Sequence, residues 1–67
     1  MSVARVTEIS ATSKKSFDDA VASGIERASE TLEDIQGAWV DGFKVDVKDG
    51  KIKQFRVNMK VTFVLKK

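Results

Sequence analysis

Cysteine, histidine and proline are all missing from this 67-residue chain. Without cysteine no disulfide can form, and without cysteine or histidine the usual tetrahedral zinc sites have no ligands. The same absence leaves acid–base chemistry to Asp, Glu or Lys, and the sequence offers no carboxylate pair in an apolar setting. An enzyme is therefore the class that the composition argues against most strongly. With no proline, nothing reads as a linker, and there is no repeat or low-complexity tract. No apolar run approaches the ~18–20 residues of a membrane span. Met1-Ser2-Val3-Ala4 has neither a charged n-region nor an apolar h-region, so no signal peptide is expected. Neither sign of charge dominates: 12 basic residues stand against 10 acidic ones, interspersed, for a net +2, which is too even for a nucleic-acid or membrane-surface partner. The lack of cysteine fits a cytoplasmic location.

What remains is a single domain, 1–67, with a small interior. A chain of this size buries only roughly 60% of its unfolded surface, and its core supplies about 3–5 kcal/mol. Disulfides and zinc being excluded, self-association is the expected source of stability by elimination, with idealised packing as the alternative.

Three periodicities follow one another along the chain. Val3 to Ser10 is rich in β-formers (Val3, Val6, Thr7, Ile9) and reads as a first strand. Ala11-Thr12-Ser13 reads as turn and cap, with Ser13 or Ser16 as N-cap and Asp19 completing a box with Ser16. From Phe17 through Ala20, Val21, Gly24, Ile25, Ala28, Leu32 and Ile35 the apolar spacing becomes helical. A helix ending at Gln36-Gly37, with Gly37 as its stop, is expected. Gly24 falls within the apolar stripe, where it costs roughly 1 kcal/mol against Ala, so close approach of a strand is the expected compensation.

Ala38 to Lys48 reads as a second strand whose parity changes midway. Ala38 and Val40 are even, while Phe43, Val45 and Val47 are odd, which requires an extra residue and predicts a β-bulge at Asp41-Gly42. Asp49-Gly50 is a two-residue hairpin signal. Phe55, Val57, Met59, Val61, Phe63 and Leu65 then alternate with mostly polar neighbours in a strand that must be central or well covered. The fold class is α+β: β-α-β-β, a three-stranded antiparallel sheet packed on one amphipathic helix, its polar sheet face left to neighbours.

Ile9 to Ser13 with Ser16-Phe17 at the helix entry, Ala28-Ser29-Glu30-Thr31-Leu32, the hairpin Val47 to Ile52, and the closing strand Phe55 to Phe63 are four segments similar to those of the dodecins, small flavin-binding proteins. None is specific alone, but their order and spacing cover nearly the whole chain. The resemblance implies a homododecameric shell that stores flavin (FMN or riboflavin) between subunits. It also implies a stacking tryptophan at Gly37, a hydrogen-bonding glutamine at Arg56 and an arginine at Lys44. This chain departs from that pattern at all three. Losing a tryptophan forfeits a gross ~4–6 kcal/mol of burial, and half of that is more than a hundredfold in affinity.

The candidate cofactor-binding residues are therefore Gly37, Trp39, Lys44 and Arg56. Trp39, two residues beyond Gly37 and on the same strand face, is either a displaced aromatic platform or a side chain packed in a subunit interface. Arg56 either meets a ligand phosphate or carboxylate, or pairs with an acidic residue of another subunit. Lys44 either meets an anionic ligand or is plain surface. No metal site is expected: Glu30, Glu33, Asp34, Asp41, Asp46 and Asp49 could supply oxygens to calcium, but their spacing matches no EF-hand loop. A flavin-binding shell comes first among functions. A similar assembly that has lost flavin and binds ions or is structural comes second, and a protein-interaction module third.

Overall fold

The computed structural model describes residues 3–65. It contains β1 (Ala4–Ser13), α1 (Phe17–Ala28), β2 (Ile35–Lys48) and β3 (Lys51–Val64), in the expected β-α-β-β order. The three strands form one antiparallel sheet in the order β1-β3-β2, so the strongly alternating last strand is the central one. α1 lies across β1 and β3. Val57, Met59 and Val61 of β3 are fully buried beneath it, together with Ala20 of the helix.

Gly24 behaves as its position demanded. A Cβ there would lie 2.8 Å from the Ala11 Cβ and 2.9 Å from the Met59 Cε, so only hydrogen lets the helix settle onto the sheet. Ser16 is the N-cap, its Oγ accepting from the Asp19 N–H at 2.9 Å. The Asp19 carboxylate does not return to Ser16 but accepts from the Ser13 hydroxyl at 2.6 Å, which ties the helix start to the end of β1. At the hairpin, Asp49 (φ 53°) and Gly50 (φ 76°) are both left-handed, as a type I′ turn requires. The bulge expected at Asp41-Gly42 is present as a register shift between Val40 and Gly42.

Three expectations need correction. The helix stops at Ala28, not at Gln36-Gly37. Ser29 caps it and turns its hydroxyl back onto the Ile25 carbonyl at 2.8 Å, the local bonding by which serine competes with helix continuation. The sheet then takes over: Val64 N–H donates to the Asp34 carbonyl (3.2 Å), Asp34 turns through φ 57°, and Ile35 pairs with Phe63. Gly37 is thus no helix stop but a β2 residue opposite Thr62. Second, β1 does not turn at Ala11 but runs to Ser13, because β3 is long enough to pair Ala11, Thr12 and Ser13 with Val57, Arg56 and Phe55. Third, the β2–β3 pairing carries two further register shifts, at Ile35/Gly37 and Asp46/Val47, besides the expected one.

Candidate functional site

The registers decide which side chains share a face. From Phe55 to Phe63, odd-numbered β3 residues point to the helix, and the even-numbered residues from Gln54 to Thr62, with their cross-strand partners, form an open polar face. Gly37 pairs with Thr62, Trp39 with Lys60 and Lys44 with Arg56, so all four sequence-derived candidates stand on that open face. They do not form one cluster. Arg56 and Lys60 are four residues apart, about 13 Å of strand, and the bulge between Val40 and Gly42 separates the two pairs on β2.

At one end of this face, Gln36, Gly37, Ala38, Trp39 and Thr62 line an open cleft of about 390 Å³. Trp39, the only tryptophan, is 62% exposed, so the described residues leave most of the indole uncovered. A Cβ on Gly37 would meet nothing within 4 Å, and the glycine therefore contributes open space beside the indole.

At the other end stands a tied charge cluster. Asp46 Oδ2 accepts from Gln54 Nε2 at 2.6 Å and from Arg56 Nη2 at 3.4 Å. The Gln54 hydrogen bond, then the Arg56 guanidinium and Lys44, hold the Asp46 carboxyl below the usual carboxylate range against the opposing effect of burial. Arg56 thus has an acidic partner within its own chain. Between the two ends, Asn58 Nδ2 donates to both Glu8 (2.5 Å) and Asp41 (3.0 Å), and Lys60 meets Asp41 at 3.7 Å.

The acidic residues considered for calcium are dispersed. Asp41 and Asp46 are engaged on the open face, Asp49 is in the hairpin turn, and Glu30, Glu33 and Asp34 follow the helix. Among the described residues no group of three or more acidic side chains is placed to hold a metal ion. Sequence reasoning missed Asp46 as the partner of Arg56, and it missed the Glu8–Asn58–Asp41 bridge, which joins residues on all three strands.

The profile of the Dodecin family matches residues 3–66. The chain belongs to the dodecin family. Among solved structures, the dodecin from Streptomyces davaonensis is 38% identical, with 98% of this chain and 97% of that one covered at a TM-score of 0.95. The dodecin from Streptomyces coelicolor is 32% identical over 98% and 94%, also at 0.95. The calcium dodecin from Mycobacterium tuberculosis, a calcium-chelating antigen with a calcium-binding site, is 32% identical over 96% and 91%, at 0.83. No significant match is found among curated proteins. As a dodecin, the chain is a small binding protein by family, with no helix long and apolar enough to cross a membrane among its described residues.

Proposed function

We propose that this dodecin assembles with copies of itself, in the family's dodecameric form, and sequesters a flat aromatic ligand of the flavin type (FMN or riboflavin) against Trp39 without chemical turnover. The observation that carries this reading is the 62% exposure of Trp39 above an open cleft on the polar sheet face. A bare indole stabilises little in water, yet stacking and burial of its face by a second ring are strongly favourable. The cleft volume falls within the ~300–1,000 Å³ range of small-molecule sites, and its open side leaves room for a second copy to cover the ligand.

A second feature supports it. The resemblance puts a stacking tryptophan at position 37 and a hydrogen-bonding glutamine at position 56. Here a tryptophan stands at 39 and a glutamine at 54, each one strand repeat nearer the hairpin. The strands are antiparallel, so the six-residue offset on β3 between Lys60, opposite Trp39, and Gln54 equals that between Thr62, opposite Gly37, and Arg56. The aromatic and the amide have moved together. Because Asp46 can only accept, Gln54 directs its nitrogen there, and its amide oxygen is what it offers to a ring N–H. Lys44 and Arg56, flanking this end, suit a ligand phosphate. Self-assembly rests on the core: Ala20, Val57, Met59 and Val61 are the buried apolar residues, while seven large apolar side chains among the described residues are at least 47% exposed. The compartment we assign is the cytoplasm, in line with the cysteine-free composition.

Titration of the assembled protein with FMN and riboflavin tests the ligand reading. Quenching of Trp39 emission at micromolar ligand is expected in the parent, and in Trp39→Ala, followed by the ligand's own flavin fluorescence, an affinity at least a hundredfold weaker; unchanged Trp39 emission in the parent protein would sink it. The alternative reading is an assembly that has lost flavin and binds ions or is structural. It is favoured by the engagement of Arg56 with Asp46 and by the likeness to the calcium dodecin. Native mass spectrometry separates the two, since a colourless assembly carrying calcium supports the alternative.

A further inference from the structure

The cleft beside Trp39 owes its form to one extra residue. Ile35 pairs with Phe63 and Gly37 with Thr62, so Gln36 is the bulge residue between them. Continued without it, the register would set Gly37 opposite Val61 and Trp39 opposite Met59, on the helix side of the sheet. The bulge therefore turns Trp39 onto the open face. It also brings Gln36 into the lining of the cleft of about 390 Å³, where Thr62 is the other polar side chain among the described residues. Gln36 Nε2 donates to the Asp34 carbonyl at 3.3 Å. A carbonyl can only accept, so the amide is held by its nitrogen and keeps Oε1 as an acceptor. The Thr62 hydroxyl, one strand repeat from Lys60 and the indole opposite it, can both donate and accept.

We infer that Gln36 and Thr62 are specificity-determining residues that select a ligand by the hydroxylated chain its ring carries. The flat ring lies on Trp39 and over the open space at Gly37, and hydroxyls of a sugar-alcohol chain bond to Gln36 Oε1 and Thr62 Oγ1. This rests on the Trp39 reading above and adds a second contact to the same site. In that reading the ring N–H goes to a Gln54 amide oxygen. Gln54 stands six residues along β3 from Lys60, about 20 Å of strand, so it is beyond the reach of a ring on its own chain's Trp39. The polar groups that the Trp39 chain itself supplies at the cleft are thus left for the part of the ligand that is neither ring face nor ring edge. An alcohol suits both of them. It donates to the amide oxygen and bonds in either sense with the threonine hydroxyl, whereas a bare methyl group on the ring does neither. Two neutral hydrogen bonds, each made in exchange for water, correspond to about a tenfold preference.

The test titrates the assembled full-length protein with riboflavin and with lumiflavin, which has the same ring but a methyl group in place of the chain. Trp39 emission and flavin fluorescence are followed together. In the parent, riboflavin is expected to bind about tenfold more tightly than lumiflavin. Thr62→Val keeps the shape of the half-buried side chain, and Gln36→Ala trims an exposed one. Combined, they are expected to weaken riboflavin to the level of lumiflavin while lumiflavin binding and its quenching of Trp39 stay as in the parent. Thr62→Ser, which retains the hydroxyl, should keep most of the preference. Equal affinities in the parent, or a preference that survives the double variant, would overturn the inference. So would a parallel loss of both ligands, which would show the two residues shaping the platform instead of reading the chain. A parent whose Trp39 emission responds to neither ligand would overturn the Trp39 reading itself.

Discussion

The middle of this molecule and its two ends are built from the same strands, yet only the middle is finished. Beneath α1 the sheet is closed: Gly24 brings the helix within van der Waals contact of Ala11 and Met59, and Val57, Met59 and Val61 lose all solvent contact. A 12-residue helix covers about 18 Å, however, whereas 14-residue strands extend for about 46 Å. Phe43, Val47 and Ile52 at one end and Leu65 at the other are left in water as a consequence. The difference teaches that one chain holds a complete but very small core and an incomplete surface. Stability of the single chain belongs to the middle, and the ends are what it leaves uncovered.

The largest expected effect breaks the middle. Met59→Ala removes a fully buried side chain from the centre of the contact and is expected to cost about 2–5 kcal/mol in urea unfolding, a large part of what so small a core supplies. By contrast, Ile52→Ser at the hairpin end is expected to change the stability of dissociated chains by no more than ~0.5 kcal/mol while weakening assembly. Equal losses at the two positions would erase the distinction between middle and ends.

A pair of glycines sharpens it further. Gly24→Ala gains roughly 1 kcal/mol of helix propensity, but its methyl would sit 2.8 Å from the Ala11 Cβ, which has no flexible chain to move aside. A net loss of about 1–2 kcal/mol in thermal or urea unfolding is expected. Gly37→Ala meets nothing within 4 Å and should be neutral or slightly stabilising, yet it narrows the space beside Trp39 and is expected to alter ligand affinity instead. Matched stability losses in both variants would show that the end cleft is packed as the centre is.

Much of this was legible from the residues, and the failures have physical causes. The alternation of Phe55 to Phe63 identified the central strand, and the parity change at Asp41-Gly42 identified one bulge. The helix end was overrun because Leu32 and Ile35 continue the helical spacing by coincidence, one lining a cleft and the other pairing in β2. Ser29 was the overlooked stop signal. The second bulge near the hairpin was available but unread. A two-residue turn at Asp49-Gly50, continued without interruption, would set Phe43 opposite Arg56 and Val45 opposite Gln54, apolar against polar. The alternation of both strands required one extra residue on β3, and Lys53 is it, unpaired between Ile52 and Gln54. Reading that bulge would have placed Asp46 beside Gln54 and Lys44 beside Arg56. The two groups of site residues would then have been visible as separate. The Glu8–Asn58–Asp41 bridge was beyond sequence reasoning, since it needs the register of two strand pairs at once.

The smallest effect concerns the charge cluster on the open face, where neither region's apolar packing is involved. The folded-state pKa of Asp46 lies below its unfolded value, chiefly through the Gln54 hydrogen bond and then through Arg56. A depressed carboxyl contributes stability that is fully present above the unfolded pKa, near 3.9, and is lost as pH falls through the folded value. Asp46→Asn keeps the shape but removes the titration. The difference in melting temperature between parent and variant is therefore expected to be largest near neutral pH and to shrink below about pH 4. Freed from its carboxylate, Arg56 should also hold an anionic ligand more tightly, so the FMN-to-riboflavin affinity ratio should rise in Asp46→Asn. A ratio that stays fixed would mean that the phosphate never approaches Arg56, and would confine the ligand to the Trp39 end of the face.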